Sequence, residues 1–394
     1  MDDSIDITAV YDKSLNFLIG SGASADLFPT LALSIKDDFE EAHTLETLAT
    51  TLEHGARDDA LAWLFMHYYS TCIKPAVNFR EEDANTPKKR AVLENYEAFL
   101  RTVLHILQRR KSLDRRCNIF TTNYDGCLAY AADRILSSGT DDFTLNDGAR
   151  GFRRRVLQAQ NFNTFLCQSG VFERSLNGIP QVNLIHLHGS VYWKKADTGI
   201  EVDYHPESED LVPVELNDAL AHLADVLHDD QSHTADFRPA PMAPQFKAPF
   251  LERYKKLPII SPTKWKFQET LFEEHYYQML RLLSYELEKP GAVLITFGFS
   301  FADEHILSLV KRSLSNPQLQ VFVCCYSEAE KLRLSATFRQ YPNVKCISTL
   351  EGVLSFSTFN DRVFSLSQLR RQATGEVATG PAAPALAPAA EAGG

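Results

Sequence analysis

Apolar and polar positions along this chain fall into two regimes. Five runs are apolar almost without a break: "LNFLI" (15–19), "CNIFT" (117–121), "VNLIHL" (182–187), "AVLITF" (292–297) and "VFVCC" (321–325). They lack the in–out alternation of a half-exposed sheet, so they read as strands buried on both faces of a mostly parallel sheet. "LPII" (257–260) is a weaker sixth strand and "VKCIS" (344–348) a candidate seventh. Between the first two runs the period changes to that of helices. Leu45, Leu48 and Leu52 recur before Gly55, a helix stop. Leu61, Leu64, Phe65 and Tyr68 form one stripe, and Tyr96, Phe99, Leu100, Val103 and Leu107 another. Residues 30–110 therefore read as a helical insertion, interrupted by the charged "REEDANTPKKR" (80–90). Residues 196–250 read as a second insertion, with a helix in "VPVELNDALAHLADVLHDD" and a loop in "RPAPMAPQFKAP". The stretch 373–394, rich in Ala, Pro and Gly, is expected to be a disordered tail. The class is α/β.

The polar residues fall where the apolar runs stop. "GSGAS" follows the first run, "TNYD" the second, "HGS" the third and "GFS" the fourth. In an open α/β sheet, ligands bind at the carboxyl ends of the strands, so these four ends are expected to share one site. Gly20 and Gly22 let a backbone approach a pyrophosphate, with N–H groups beyond them to cradle it. A plain strand-to-helix turn uses the same residues. Asn123 and Asp125 orient a polar ligand, or make an Asx turn or helix cap. His188 is a general base, a core histidine, or with His186 a metal ligand; Gly189 beside it leaves room for a ligand. Asp303 and Glu304 read as a helix cap. Arg109, Arg110, Lys111, Arg115 and Arg116 read as solvated cations at a helix end, and Arg153, Arg154 and Arg155 as a surface cluster that could face a partner.

Composition narrows the setting. The chain has 394 residues, 44% of them hydrophobic, and a formal net charge of -11, which disfavours direct binding to nucleic acid or an anionic membrane. Its seven cysteines include no C-x-x-C pair, so neither a disulfide framework nor a thiolate zinc site is expected. The acidic start "MDDSIDITAV" does not resemble a signal peptide, and no apolar run is long enough to span a bilayer. A cytoplasmic location follows as the expectation.

The ordered set "GSGAS", "TTNYD", "HLHGS", "PIISPTKWK" and "GFSFADEHI" resembles the sirtuin-like family, in its prokaryotic NAD-consuming branch, over about residues 15 to 330. The resemblance implies a Rossmann-like, NAD-binding core made of residues 1–29 and 111–372. It implies that Gly20, Ala23 and Ser24 face the phosphates, beside Gly22, and that Asn123 holds the ribose or the attacking water. Asp125 would take the nicotinamide carboxamide, and Thr122 stands where the family more often has glutamine. His188 would be the base, next to Gly189, with Gly298 and Ser300 closing on the phosphate and ribose. The paired C-x-x-C zinc module of the deacylases is missing, and "DLFPT" (26–30) replaces their Asp-Phe-Arg. What the resemblance implies is therefore hydrolysis of the nicotinamide–ribose bond, with NAD+ as substrate and no metal or other cofactor. It further implies a role in anti-phage defence and a HerA-type ATPase as partner. The apolar stripes of 30–110, which are more than one sheet face covers, add the expectation of a homo-oligomer. Two other readings stay open: a non-catalytic module that senses NAD+ or ADP-ribose, and a metal-dependent phosphoesterase built on His186 and His188.

Overall fold

The computed structural model describes residues 4–169, 176–196, 199–206, 210–259, 270–349 and 352–366. Its centre is a sheet of seven strands: β1 (Ser14–Ile19), β2 (Arg116–Thr121), β3 (Thr144–Asn146), β4 (Gln181–His186), β5 (Ala292–Phe297), β6 (Gln320–Cys324) and β7 (Val344–Ile347). They lie in the order β7-β6-β5-β1-β2-β4-β3, and every neighbouring pair is parallel. The chain builds from β1 to one side and later from β5 to the other. The order thus reverses between β1 and β5, the place where open α/β sheets bind ligands. This is the Rossmann-like α/β architecture expected from the continuous apolar runs. Two strand assignments differ. β3 is a short, half-buried edge strand that carries no apolar run. "LPII" joins no strand of the sheet among the described residues; Ile259 makes only an isolated bridge to Gly189.

Burial on both faces explains the unbroken runs. Phe17, Ile19, Ile119, Leu184 and Ile295 point to one face. There they meet Tyr96, Phe99, Leu100 and Val103 of α1 (Pro87–Gln108), with α2 (Cys127–Ser138) beside it. Leu18, Phe120, Ile185, Leu294, Val321 and Val323 point to the other face. It is covered by Met279, Leu283 and Leu287 of α3 (Thr270–Glu288), by Ile306 and Val310 of α4 (Glu304–Ser313), and by Leu334 of α5 (Glu328–Thr337). Each such side chain contributes roughly 1.5–3 kcal/mol on leaving water.

Within 30–110, helices Leu45–His54 and Asp58–Tyr68 form as their stripes predict, and a hairpin (Ala32–Lys36 with Ala42–Thr44) precedes them. The charged "REEDANTPKKR" contains one 3-10 turn. Thr86 then caps α1 and Pro87 takes its first position, so the basic residues open the helix. Within 196–250, helix Asn217–Leu227 is as expected. The proline-rich stretch differs, because helix Pro244–Tyr254 starts inside it. Pro244 sits where a helix N–H needs no partner, which is why a presumed breaker is a starter here. Arg110 differs too: it is buried and donates to the Val10 carbonyl at 3.2 Å. No helix among the described residues is long and apolar enough to cross a membrane. The stretch 373–394 lies outside the described residues.

A line of amides crosses the sheet under its second face. Asn118 Nδ2 donates to Asn16 Oδ1 (2.8 Å), and Asn183 Nδ2 to Asn118 Oδ1 (2.8 Å). Asn146 Nδ2 and Gln181 Nε2 both donate to Asn183 Oδ1, at 2.9 and 2.8 Å. These asparagines are register partners on β1, β2, β4 and β3. A one-residue slip of any strand would leave buried amides unpaired, so the line pins the register that brings the strand ends together.

Candidate active site

The loops beyond the four central strands are bonded to one another from side to side. Gly20 N–H donates to the Phe297 carbonyl and Gly22 N–H to the Gly298 carbonyl, both at 3.0 Å. Thr122 N–H reaches the Ile19 carbonyl (3.2 Å), Leu187 N–H the Thr121 carbonyl (2.7 Å) and Val191 N–H the Tyr124 carbonyl (3.1 Å). The loops of β5, β1, β2 and β4 thus form one rim over the switch point.

The glycines at this rim are needed first by the protein itself. A Cβ on Gly20 would lie 2.3 Å from the Gly298 carbonyl oxygen, and one on Gly298 would lie 2.5 Å from the Ala23 nitrogen. Gly298 also has φ +64°, which favours glycine. The expected N–H cradle is correspondingly reduced. Gly20, Gly22, Ala23 and Ser24 all donate their N–H groups to protein carbonyls. The turn continues only into a 3-10 turn, Ser21–Ala23, where a helix was expected. Its glycines serve the close crossing of two loops.

On the α1 side lies a buried polar cluster. Ser24 Oγ is 2.8 Å from the Tyr96 hydroxyl, and Asn123 Nδ2 donates to Ser24 Oγ (3.3 Å) and Tyr96 Oη (3.4 Å). Burial, then the Asp125 carboxylate, push the Tyr96 pKa well above the ordinary range, so it stays a neutral phenol. Asn123 Oδ1 is buried and has no partner among the described residues. Turning the amide over exchanges its two ends but still leaves one of them unpaired. Leaving such an atom unmet costs about 1–3 kcal/mol. The Asn123 backbone is held as well: its N–H donates to Thr121 Oγ1 (3.0 Å) and its carbonyl accepts from His186 Nδ1 (2.9 Å). Burial lowers the His186 pKa, so this ring stays neutral with its proton on Nδ1. Asp125 is half-buried and accepts from Cys127 N–H (3.0 Å), the Asx turn that opens α2. Thr122 is half-buried beside it.

The second cluster lies on the α3 and α4 side. His188 Nε2 is 3.1 Å from Asp303 Oδ2, an ion-pair distance without the alignment of a hydrogen bond. Asp303 Oδ1 meanwhile caps α4, accepting from His305 N–H (2.9 Å) and Ile306 N–H (3.0 Å). The carboxylate therefore does two jobs with its two oxygens. Its helix-cap role was legible in the sequence; its reach to His188 was not. Among the described residues nothing bonds to His188 Nδ1, and the Tyr276 ring lies 6.4 Å from the imidazole. Gly189 has φ +85°, and the Pro258 carbonyl fills the space beside it, 2.1 Å from where a Cβ would stand. That glycine makes room for the chain itself, where room for a ligand was expected. Phe301 holds a left-handed φ of +58° while buried against Phe299 and Phe338. Its loop is pinned there, and Ser300 is left exposed at the rim.

His186 and His188 do not share a site: one ring serves Asn123 and Trp193, the other Asp303. No group of three or more potential metal ligands occurs among the described residues. Tyr96, read from sequence only as part of an apolar stripe, supplies the hydroxyl that holds Asn123. Of "PIISPTKWK", only Pro258 and Ile259 are described. Neither a protein-family model nor a curated protein matches this chain.

Proposed function

We propose that this chain is an NAD+ glycohydrolase, which uses water to split NAD+ into nicotinamide and ADP-ribose. The observation that carries the reading is the pair of half-satisfied groups at one rim: an Asn123 amide with a buried, unpaired end, and a His188 whose Nδ1 is unbonded while Asp303 faces its Nε2. A ribose hydroxyl or a water supplies the O–H that Asn123 Oδ1 lacks. A neutral imidazole held by a carboxylate accepts a proton through its other nitrogen. In this reading the C1′–N bond breaks with its electron pair going to the nicotinamide nitrogen. Water adds to C1′ as positive charge develops there, and its proton passes to His188 Nδ1. Asn123 orients that water or the ribose, and Asp303 stabilises the charged imidazole. In this reading Asp125, Thr122, Ala23, Ser300 and the glycines of the rim would meet the same NAD+ molecule.

The sequence resemblance supports an enzyme that depletes NAD+ during phage infection and is triggered by a HerA-type ATPase. The cysteine usage supports a cytoplasmic setting, and the apolar stripes of 30–110 a homo-oligomer. The direct test incubates the purified chain with NAD+ and quantifies nicotinamide and ADP-ribose, with and without EDTA. The reading predicts equimolar products and no effect of the chelator. A sensor module would bind NAD+ without releasing nicotinamide, and a metal-dependent phosphoesterase would lose its activity in EDTA.

A further inference from the structure

A second site lies away from the rim, on the outer side of α3. A cleft of about 860 Å³ separates α3 from the segment 157–163 and the strand Gly199–Val202. That is within the range of small-molecule sites. One face of α3 lines it with Glu274, Gln278, Arg281 and Tyr285, and Gln158, Gln160 and Asn163 line the facing wall. Their own bonds leave much of this wall unspent. Gln160 Nε2 donates to Gln158 Oε1 (2.9 Å) and Gln278 Nε2 to Glu274 Oε1 (3.1 Å). The remaining amide edges, and all of Asn163, face solvent. Each carries a donor beside an acceptor, the pattern that a nucleobase edge matches. Arg281 has no acidic partner among the described residues and offers a planar fork for a phosphate. The Tyr285 ring is exposed for stacking on one face; Lys289 Nζ, paired with Glu286 at 2.7 Å, lies over the ring at 4.8 Å. His275 forms the floor: it is 8% exposed, and its Nε2 has no partner among the described residues.

We infer that this cleft binds a nucleoside monophosphate, with the base against the amides and Tyr285 and the phosphate at Arg281. None of its lining residues belongs to the rim. The two places are nonetheless in packing contact. His275 packs edge-on to Trp193 (5.0 Å), Trp193 to His186 (5.8 Å), and His186 holds the Asn123 carbonyl. An occupant of the cleft therefore rests one packed chain away from the amide that the proposed reaction uses, and this link alone depends on that reading.

The test is binding, measured without turnover. AMP, adenosine and ribose 5-phosphate are titrated by calorimetry into the wild-type chain and into Arg281→Ala, Tyr285→Ala and Asn123→Ala. The two cleft substitutions are at exposed positions, so the fold is expected to persist. AMP should bind saturably and more tightly than adenosine or ribose 5-phosphate. Its Kd should rise roughly tenfold or more in Arg281→Ala and in Tyr285→Ala, and stay within about threefold in Asn123→Ala. Absence of saturable AMP binding overturns the inference. So does an affinity indifferent to both cleft substitutions, or one lost only in Asn123→Ala, which would place AMP in the rim crevice.

Discussion

Asp303→Asn separates the two jobs of one carboxylate. Asparagine Oδ1 still accepts from His305 and Ile306 N–H, so the cap on α4 survives and stability should change by less than about 1 kcal/mol. What disappears is the negative charge 3.1 Å from His188 Nε2. At that distance and an effective dielectric of about 20, a full pair of charges is worth at most about 5 kcal/mol. The imidazole carries only part of its charge in the transition state, which leaves roughly 2–3 kcal/mol, or about 100-fold in rate. Asp303 is thus a positioning residue whose loss should lower kcat about 100-fold while KM stays within about threefold. Initial rates of nicotinamide release over a range of NAD+ concentrations separate the two constants, and thermal unfolding checks the cap. Asp303→Ala should lose both activity and about 1 kcal/mol of stability. A kcat for Asp303→Asn near that of the wild type would refute the argument, and so would a change confined to KM.

Three further outcomes follow from the fold. Asn118→Ala strips the partner from Asn16 Oδ1 and one of two acceptors from Asn183 Nδ2, which keeps the Phe162 carbonyl; denaturant unfolding should show a loss of about 2–4 kcal/mol, and a loss below about 1 kcal/mol would contradict the amide line. Gly298→Ala combines a left-handed φ with a Cβ 2.5 Å from a backbone nitrogen, so unfolding should show a cost of roughly 2–4 kcal/mol, and an unchanged midpoint would mean that the β1 and β5 loops do not cross as described. Burial lowers the pKa of His67 and His275 from 6.5 to about 4, with His228 adding to the effect at His67. Both pKa values lie below those of the unfolded chain, so the unfolded state takes up more protons between about pH 6.5 and 4 and stability falls through that window. At pH 5 the loss is about 2 kcal/mol per histidine. A flat thermal-stability profile from pH 7.5 to 5 would show that these rings are not buried.

The parallel sheet was legible because burial on both faces writes a continuous apolar run, and five of its seven strands carry one, with β7 marked more weakly by "VKCIS". β3 escaped because three half-buried residues at an edge leave no such mark. The amide line was in plain view, since Asn16, Asn118 and Asn183 each take the second position of their runs. A polar residue repeated inside buried strands signals a register partner, and that signal was there to be read. Helix Pro244–Tyr254 was hidden by counting prolines as breakers without weighing the first helical position, where proline fits. At the rim, the polar residues lie at neighbouring strand ends as their positions after the apolar runs implied, and their packing partners were not legible. "GSGAS" reads as a phosphate cradle only until β5 is known to lie beside β1; the crossing of Gly298 then accounts for the glycines and their N–H groups. Asp303 and Tyr96 were invisible as site residues for the same reason. Each reaches its partner, His188 or Asn123, through tertiary packing that no local spacing encodes.

The central claim is that Asn123 and His188 act on one bond of NAD+. Nicotinamide release by the wild-type chain, Asn123→Ala and His188→Ala tests it most directly, with calorimetry of NAD+ binding and thermal unfolding run on the same samples. Stoichiometric nicotinamide and ADP-ribose are expected from the wild type. Rates lower by about 100-fold or more are expected in both variants, with the fold and NAD+ binding largely kept. Saturable NAD+ binding with no nicotinamide from the wild type, in the presence or absence of a HerA-type ATPase, would contradict the claim, as would wild-type rates in His188→Ala.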